Sequence, residues 1–147
     1  MNLERYPYRA NDNFNNYEFY SDGPKGRIKK GVRFSLMNNE PIIYNLAFGD
    51  IPDGTDMIDD AVVSNNNDRD RVLATVANTI FDFINNYGNH YIFATGSTPA
   101  RTRLYQMGIT SLWDEISIDF VVLGFKDGSW QPFQSNVNYE AFLVKRK

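Results

Sequence analysis

Two stretches of this chain alternate apolar and polar residues, and a third repeats apolar residues every three to four positions. From Arg27 to Met37, Ile28, Lys30, Val32, Phe34 and Leu36 share one face, and Arg27, Lys29, Gly31, Arg33 and Ser35 the other, which predicts a strand. Lys30 is the one charge on the apolar face and is expected at its rim. Ile42 to Phe48 repeats the pattern with Ile42, Tyr44, Leu46 and Phe48 on one side, so two consecutive strands agree on a buried face. Val72, Leu73, Val76, Ala77, Ile80, Phe81 and Ile84 then recur at the helical period. They predict a long amphipathic helix over about 68–87, with Asp68 and Asp70 suited to its positive first turn and Asn85-Asn86-Tyr87-Gly88 as its stop.

Weaker signals fill the rest. Residues 1–16 hold scattered asparagines and aromatics, Pro7 and no period, and read as an irregular N-terminal arm anchored by Tyr6, Tyr8 and Phe14. Residues 17–147 read as a single domain. Tyr17 to Tyr20 is a short strand, joined to the next by the turn residues Asp22-Gly23-Pro24-Lys25-Gly26. The acidic segment Gly49 to Asp60 reads as a loop, followed by an extended piece at Ala61-Val62-Val63. After the long helix come a buried strand at Tyr91 to Thr95, a helix from about Pro99 to Met107 broken at Gly108, and a short helix over Leu112 to Ile116 capped by Ser111. Ile118 to Phe125 is an apolar strand, Lys126-Asp127-Gly128-Ser129 a hairpin turn, and Asn138 to Lys145 a last strand. The order β-β-β-α-β-α-β-β predicts an α+β domain with a largely antiparallel sheet.

Composition narrows the class. A chain of 147 residues, 42% hydrophobic, buries one core. Nine tyrosines and eleven phenylalanines favour sheet-rich packing, and the absence of cysteine removes disulfides, thiolate nucleophiles and cysteine-ligated metal. The N-terminal residues show no export signal and no apolar run approaches the roughly 18 residues of a membrane span, so a soluble, cytoplasmic protein is expected. The net charge of −3 argues against a protein built mainly to coat nucleic acid. Its distribution is uneven, with Lys25, Arg27, Lys29, Lys30 and Arg33 in one stretch and Asp50, Asp53, Asp56, Asp59, Asp60, Asp68 and Asp70 in a later one.

Little in the chain points to catalysis. His90 is the lone histidine and no serine forms a nucleophile elbow, so no catalytic residue is assigned. Asp56, Asp59 and Asp60 lack the spacing of a calcium loop, no dinucleotide or phosphate-loop fingerprint is present, and neither metal nor cofactor is expected. Two features suit anions. Arg27, Lys29 and Arg33 project together from one strand face, near Tyr20. Gly96-Ser97-Thr98-Pro99-Ala100-Arg101-Thr102-Arg103-Leu104-Tyr105 reads as a strand turning into a helix, with Thr98 as N-cap and Pro99 as first helical residue. Free amides beside Arg101 and Arg103 suit a phosphate or carboxylate; structural pairing of the two arginines with Asp59, Asp60 or Glu115 is the competing account.

That run, with Asn45-Leu46-Ala47-Phe48-Gly49-Asp50, Asp70 to Val76 and Asn138-Tyr139-Glu140-Ala141-Phe142, resembles a family of small uncharacterised bacterial proteins found chiefly in the Bacteroidetes, over nearly the whole chain after Tyr17. The resemblance implies no assigned activity. At fold level only, the strand order with a basic hairpin is similar to the single-strand-binding Whirly proteins and Pur-alpha. The resulting expectation is a binding protein for single-stranded nucleic acid or another polyanion through Arg27, Lys29, Arg33, Ser97, Thr98, Arg101, Arg103 and Tyr105. The alternatives are a protein-interaction module, homodimeric through anchors such as Trp113 and Trp130, and an enzyme taking a phosphorylated small molecule at the helix near Pro99.

Overall fold

The computed structural model describes residues 3–59 and 65–147, so the expected extended piece at Ala61-Val62-Val63, and Asp60 with it, lies outside the described residues. Among the described residues eight strands form one sheet: β1 (Tyr8–Ala10), β2 (Asn16–Gly23), β3 (Gly26–Asn39), β4 (Ile42–Asp50), β5 (Tyr91–Ala94), β6 (Phe120–Lys126), β7 (Ser129–Pro132) and β8 (Ala141–Arg146). Three helices accompany them: α1 (Arg69–Tyr87), α2 (Pro99–Ser111) and α3 (Trp113–Asp119). The spatial order is β1-β2-β3-β4-β5-β8-β6-β7. Among the described residues only β4 and β5 pair in parallel, and α1 makes the crossover that a parallel pair needs. The expected α+β class with a mostly antiparallel sheet is the observed one.

All three helices lie on one face of the sheet. Phe83 of α1 stacks on Phe34 of β3 at 4.2 Å and meets Tyr44 of β4 edge-on, while Phe81 reaches Phe120 of β6. Trp113 of α3 packs on Phe133, which borders Phe142 of β8. These contacts join both halves of the sheet into a single core.

Several expectations change. The arm is not irregular throughout: β1 pairs with β2, Tyr6 is 3% exposed, and its N–H donates to Thr75 Oγ1 at 2.9 Å. This arm covers a second side of α1 at Thr75, Asn78 and Asp82, and Thr75 and Thr79, polar in sequence, are fully buried. Their hydroxyls donate back to the helix carbonyls of Arg71 and Val76. Phe14, expected as an anchor, is exposed. Asp68 stands at the N-cap of α1 but its side chain does not cap; its carboxylate accepts from the hydroxyls of Tyr6 and Ser21. α2 runs through Gly108 without a break, because a Cβ there would sit 2.9 Å from Leu73 Cδ2 and glycine lets α1 and α2 approach. Ser111 therefore ends α2 instead of capping α3, and donates to Asp70 at 2.7 Å. β7 was not anticipated; Asp127 and Gly128, both at positive φ, form the tight turn that folds it onto β6.

Burial pushes the phenols of Tyr6, Tyr8 and Tyr17 above their ordinary value near 10, and the carboxylates bonded to Tyr6 (Asp68) and Tyr8 (Asp82) push in the same direction. The folded chain thus holds these protons more tightly than the unfolded one. Their contribution to stability is complete below pH 10 and is lost as pH rises beyond it. Phenolate absorbance should show these three of the nine tyrosines ionising only together with the alkaline loss of near-UV circular dichroism. Ionisation of all nine before unfolding would contradict the packing.

Candidate functional site

Strand register assigns every side chain to the helix-covered inner face or to the opposite outer face. Lys30 pairs with Asp50 and Val32 with Phe48 on the inner face, so Arg27, Lys29, Gly31 and Arg33 point outward. Outward on β2 are Asn16, Glu18 and Tyr20, and on β1 Arg9 stands opposite Glu18. The basic residues expected to act together on β3 are thus adjacent and solvent-facing. The Arg27 guanidinium lies 4.1 Å from the Tyr20 ring centroid, Lys29 is 3.3 Å from Glu18, and Arg33 donates to Asn16 Oδ1 at 2.6 Å.

The same face continues across the sheet with a different character. Asn45 of β4 registers with Phe93 of β5, Phe93 with Leu143 of β8, and Leu143 with Leu123 of β6. Phe125 and Trp130 stand opposite each other on β6 and β7, with ring centroids 5.1 Å apart, and Phe93 meets Trp130 edge-on. Lys145 lies 5.3 Å over the Tyr91 ring. Leu143 is buried at 8% exposure, Trp130 is 38% exposed, and Tyr91, Phe93, Leu123, Phe125 and Lys145 are half-buried; the helix-packed core cluster includes none of them. From β2 to β7 the face crosses six strand spacings, roughly 30 Å at about 4.8 Å each. It is basic at the β2–β3 end and aromatic at the β5–β7 end.

Between the two ends, the segment after β4 folds back over the sheet. Ile51 and Ile58 rest on Gly31 and Gly49, where a Cβ would approach them to 2.7 and 2.8 Å, and Arg33 also donates to the Asp56 carbonyl at 3.4 Å. Part of the acidic stretch is therefore placed beside the basic strand, not on a separate face.

The motif residues go elsewhere. Thr98 caps α2, its Oγ1 accepting from the Arg101 N–H at 3.2 Å, with Pro99 in the first turn. Gly96 donates to Thr102 Oγ1, and that hydroxyl donates to the Thr98 carbonyl. Ser97, Thr98 and Arg103 are exposed and Tyr105 is half-buried. Arg101 is 6% exposed and reaches the Phe48 carbonyl at 3.5 Å, inside the helix-covered face. It therefore shares no surface with Arg27, Lys29 and Arg33. Lys30, expected at the rim, is also 6% exposed, its Nζ 2.6 Å from Asp50 Oδ1.

Sequence reasoning missed Arg9, Tyr91, Phe93, Phe125 and Lys145 on the outer face, and named Trp130 only as a protein anchor. Tyr91-Ile92-Phe93-Ala94 reads as wholly buried because it is wholly apolar. The odd positions Tyr91 and Phe93, separated from the buried Ile92, carry the only signal of a second face. Among the described residues no group of three or more potential metal ligands forms, and no helix is long and apolar enough to cross a membrane.

These features define a single-domain α+β protein whose helices cover one face of the sheet and whose other face is crossed by the segment after β4. The chain belongs to DUF6934, a family of unknown function, whose model matches residues 2–147. No curated protein and no solved structure matches it.

The turn itself yields a test. A Cβ on Gly96 would lie 2.4 Å from the Thr102 backbone nitrogen, so Gly96→Ala must displace the start of α2. The expected loss is about 1–3 kcal/mol in denaturant unfolding, whereas Arg103→Ala, at an exposed position, should change stability by less than about 0.5 kcal/mol. Equal effects would show that the turn tolerates a side chain.

Proposed function

We propose that this protein binds single-stranded nucleic acid on the sheet face opposite its helices, with phosphates near Arg9, Arg27, Lys29 and Arg33 and bases stacked on Phe93, Phe125 and Trp130. The observation that supports this most is the register, which puts a basic stripe and an aromatic cluster on one face without a helix over it. Unpaired bases offer flat faces that aromatic side chains accept whatever the sequence, each stack contributing about 1–3 kcal/mol. A duplex hides those faces inside its own stack, so single strands are favoured. Glu18 beside Lys29 moderates the local charge, which fits weak, salt-sensitive binding by a chain of net charge −3.

Fluorescence anisotropy with oligothymidylate and a matched duplex tests this reading. Three to five phosphate contacts give a slope of log K against log salt of about −2 to −3.5 for a single strand. Arg27→Glu/Arg33→Glu should abolish binding, and Trp130→Ala should weaken it by about 5- to 150-fold, the equivalent of one lost stack. Equal affinity for both probes, or no binding at low salt, would overturn it. The aromatic end also favours a second reading, sheet-on-sheet pairing of two copies. A dimer in light scattering that Trp130→Glu dissociates, without oligonucleotide binding, would support that instead.

A further inference from the structure

The Gly96-to-Tyr105 run, which the proposed nucleic-acid face does not use, borders a pocket of its own. About 410 Å³ of space lies between the side of α2 that carries Pro99, Thr102, Arg103 and Gln106 and the segment Asn138 to Glu140 ahead of β8. Those four positions recur at the helical period and form one wall. The volume lies within the range of small-molecule sites, about 300–1000 Å³. The opposite wall is held in place by its own hydrogen bonds. Tyr139 is buried, its hydroxyl donating to the Pro132 carbonyl at 3.2 Å and accepting from the Gln134 N–H at 2.9 Å. Glu140 donates its N–H to the Phe125 carbonyl, and its own carbonyl accepts from Thr95 Oγ1 at 2.9 Å.

Gln106 lines this pocket and is 4% exposed. Its Nε2 donates to the carbonyls of Gln134 and Ser135 at 3.2 and 3.4 Å. Only the NH2 end can serve two carbonyls, which fixes the orientation of the amide. Neither Gln134 nor Ser135 lines the pocket, so the nitrogen turns toward that loop and Oε1, on the other branch of the planar amide, toward the pocket. Oε1 accepts from no group among the described residues. Buried polar atoms are nearly always satisfied, and a lone acceptor at a pocket wall calls for a donor.

Two charges complete the lining. Arg103 and Glu140 are exposed, and neither side chain is hydrogen-bonded or ion-paired among the described residues. Arg103 and Gln106, three residues apart on α2, are neighbours on its surface, with Cβ atoms about 5–6 Å apart. The pocket thus offers a guanidinium near the positive start of α2, and beside it a carboxylate and an amide oxygen. A phosphate serves the cation and leaves both acceptors without a donor, whereas a zwitterion serves all three.

We propose that this pocket binds a free α-amino acid, with its carboxylate at Arg103 and the start of α2 and its ammonium between Gln106 Oε1 and Glu140. The site does not rest on nucleic-acid binding.

The probe is L-alanine, titrated into the native protein and followed through the amide resonances of the Gln106 side chain and of Gly96 in nuclear magnetic resonance spectra. Propionate and ethylamine, the same molecule without its ammonium and without its carboxylate, are the controls. L-Alanine should move both signals saturably, and each control should bind about tenfold more weakly or worse, the loss of one charge-assisted hydrogen bond. Arg103→Gln and Glu140→Gln, at exposed positions where folding is not at stake, should each weaken L-alanine binding by the same factor. Gln106→Met removes the acceptor and should abolish binding. Because it also strips Gln134 and Ser135 of a donor, the two charge variants decide the outcome if it does not fold. Absence of saturable shifts with L-alanine would overturn the proposal. So would propionate binding as tightly as L-alanine, which marks a site for any carboxylate, or L-alanine affinity unchanged in either charge variant.

Discussion

Everything in this molecule depends on one short parallel contact, the pairing of β4 with β5 over Ile43 to Leu46 and Tyr91 to Ala94. It is where an antiparallel array made of β1 to β4 meets a second array made of β5 to β8. A parallel pair cannot be closed by a tight turn, so the chain must leave the sheet, cross it and return, and α1 is that crossing. α1 then holds the two arrays together by packing, with Phe83 against Phe34 and Tyr44 on one side of the seam and Phe81 against Phe120 on the other. With α2 and α3 on the same side, the helices form one layer and the sheet the second, which leaves the far face of the sheet to solvent and to the segment after β4.

That asymmetry sorts the charged residues. Lys30 and Arg33 are three positions apart on one strand, yet one is buried against Asp50 and the other lies in the open beside Asn16. Arg101 is drawn to the Phe48 carbonyl on the inner side. A set of basic residues that looks like one surface in sequence is divided by the thickness of the sheet into two chemically different environments. One is dry and bordered by apolar walls; the other is wet and lies on the face that carries aromatic side chains at its far end. Gly31 and Gly49, opposite each other in register, let Ile51 and Ile58 seat the acidic loop between the two ends of the outer face.

Elements with a strong period were legible: α1, β3 and β4 lie close to where periodicity puts them, since one face of each is buried along much of its length. What escaped was decided by partners far away in sequence. Lys30 reads as a rim residue until the register of β4 delivers Asp50, 20 residues later, directly opposite. Asp68 reads as a carboxylate for the first turn of α1, but its side chain accepts from Tyr6 and Ser21 instead. Gly108 reads as a breaker, whereas it is the place where Leu73 needs room. The basic stripe of the outer face was legible because it alternates within one strand. The aromatic end was not, because Phe93, Phe125 and Trp130 come from three strands whose adjacency is a property of the sheet order alone.

β8 is the last strand in the sequence and yet lies between β5 and β6. The second array therefore cannot close progressively as the chain leaves the ribosome. Until β8 arrives, β5 and β6 each present an unpaired edge, and the β6–β7 hairpin has nothing to hold it against the rest of the sheet. The first array and α1 are made of earlier, more local contacts and have no such wait. The insertion of six residues, Ala141–Arg146, is thus what converts two partial sheets into one.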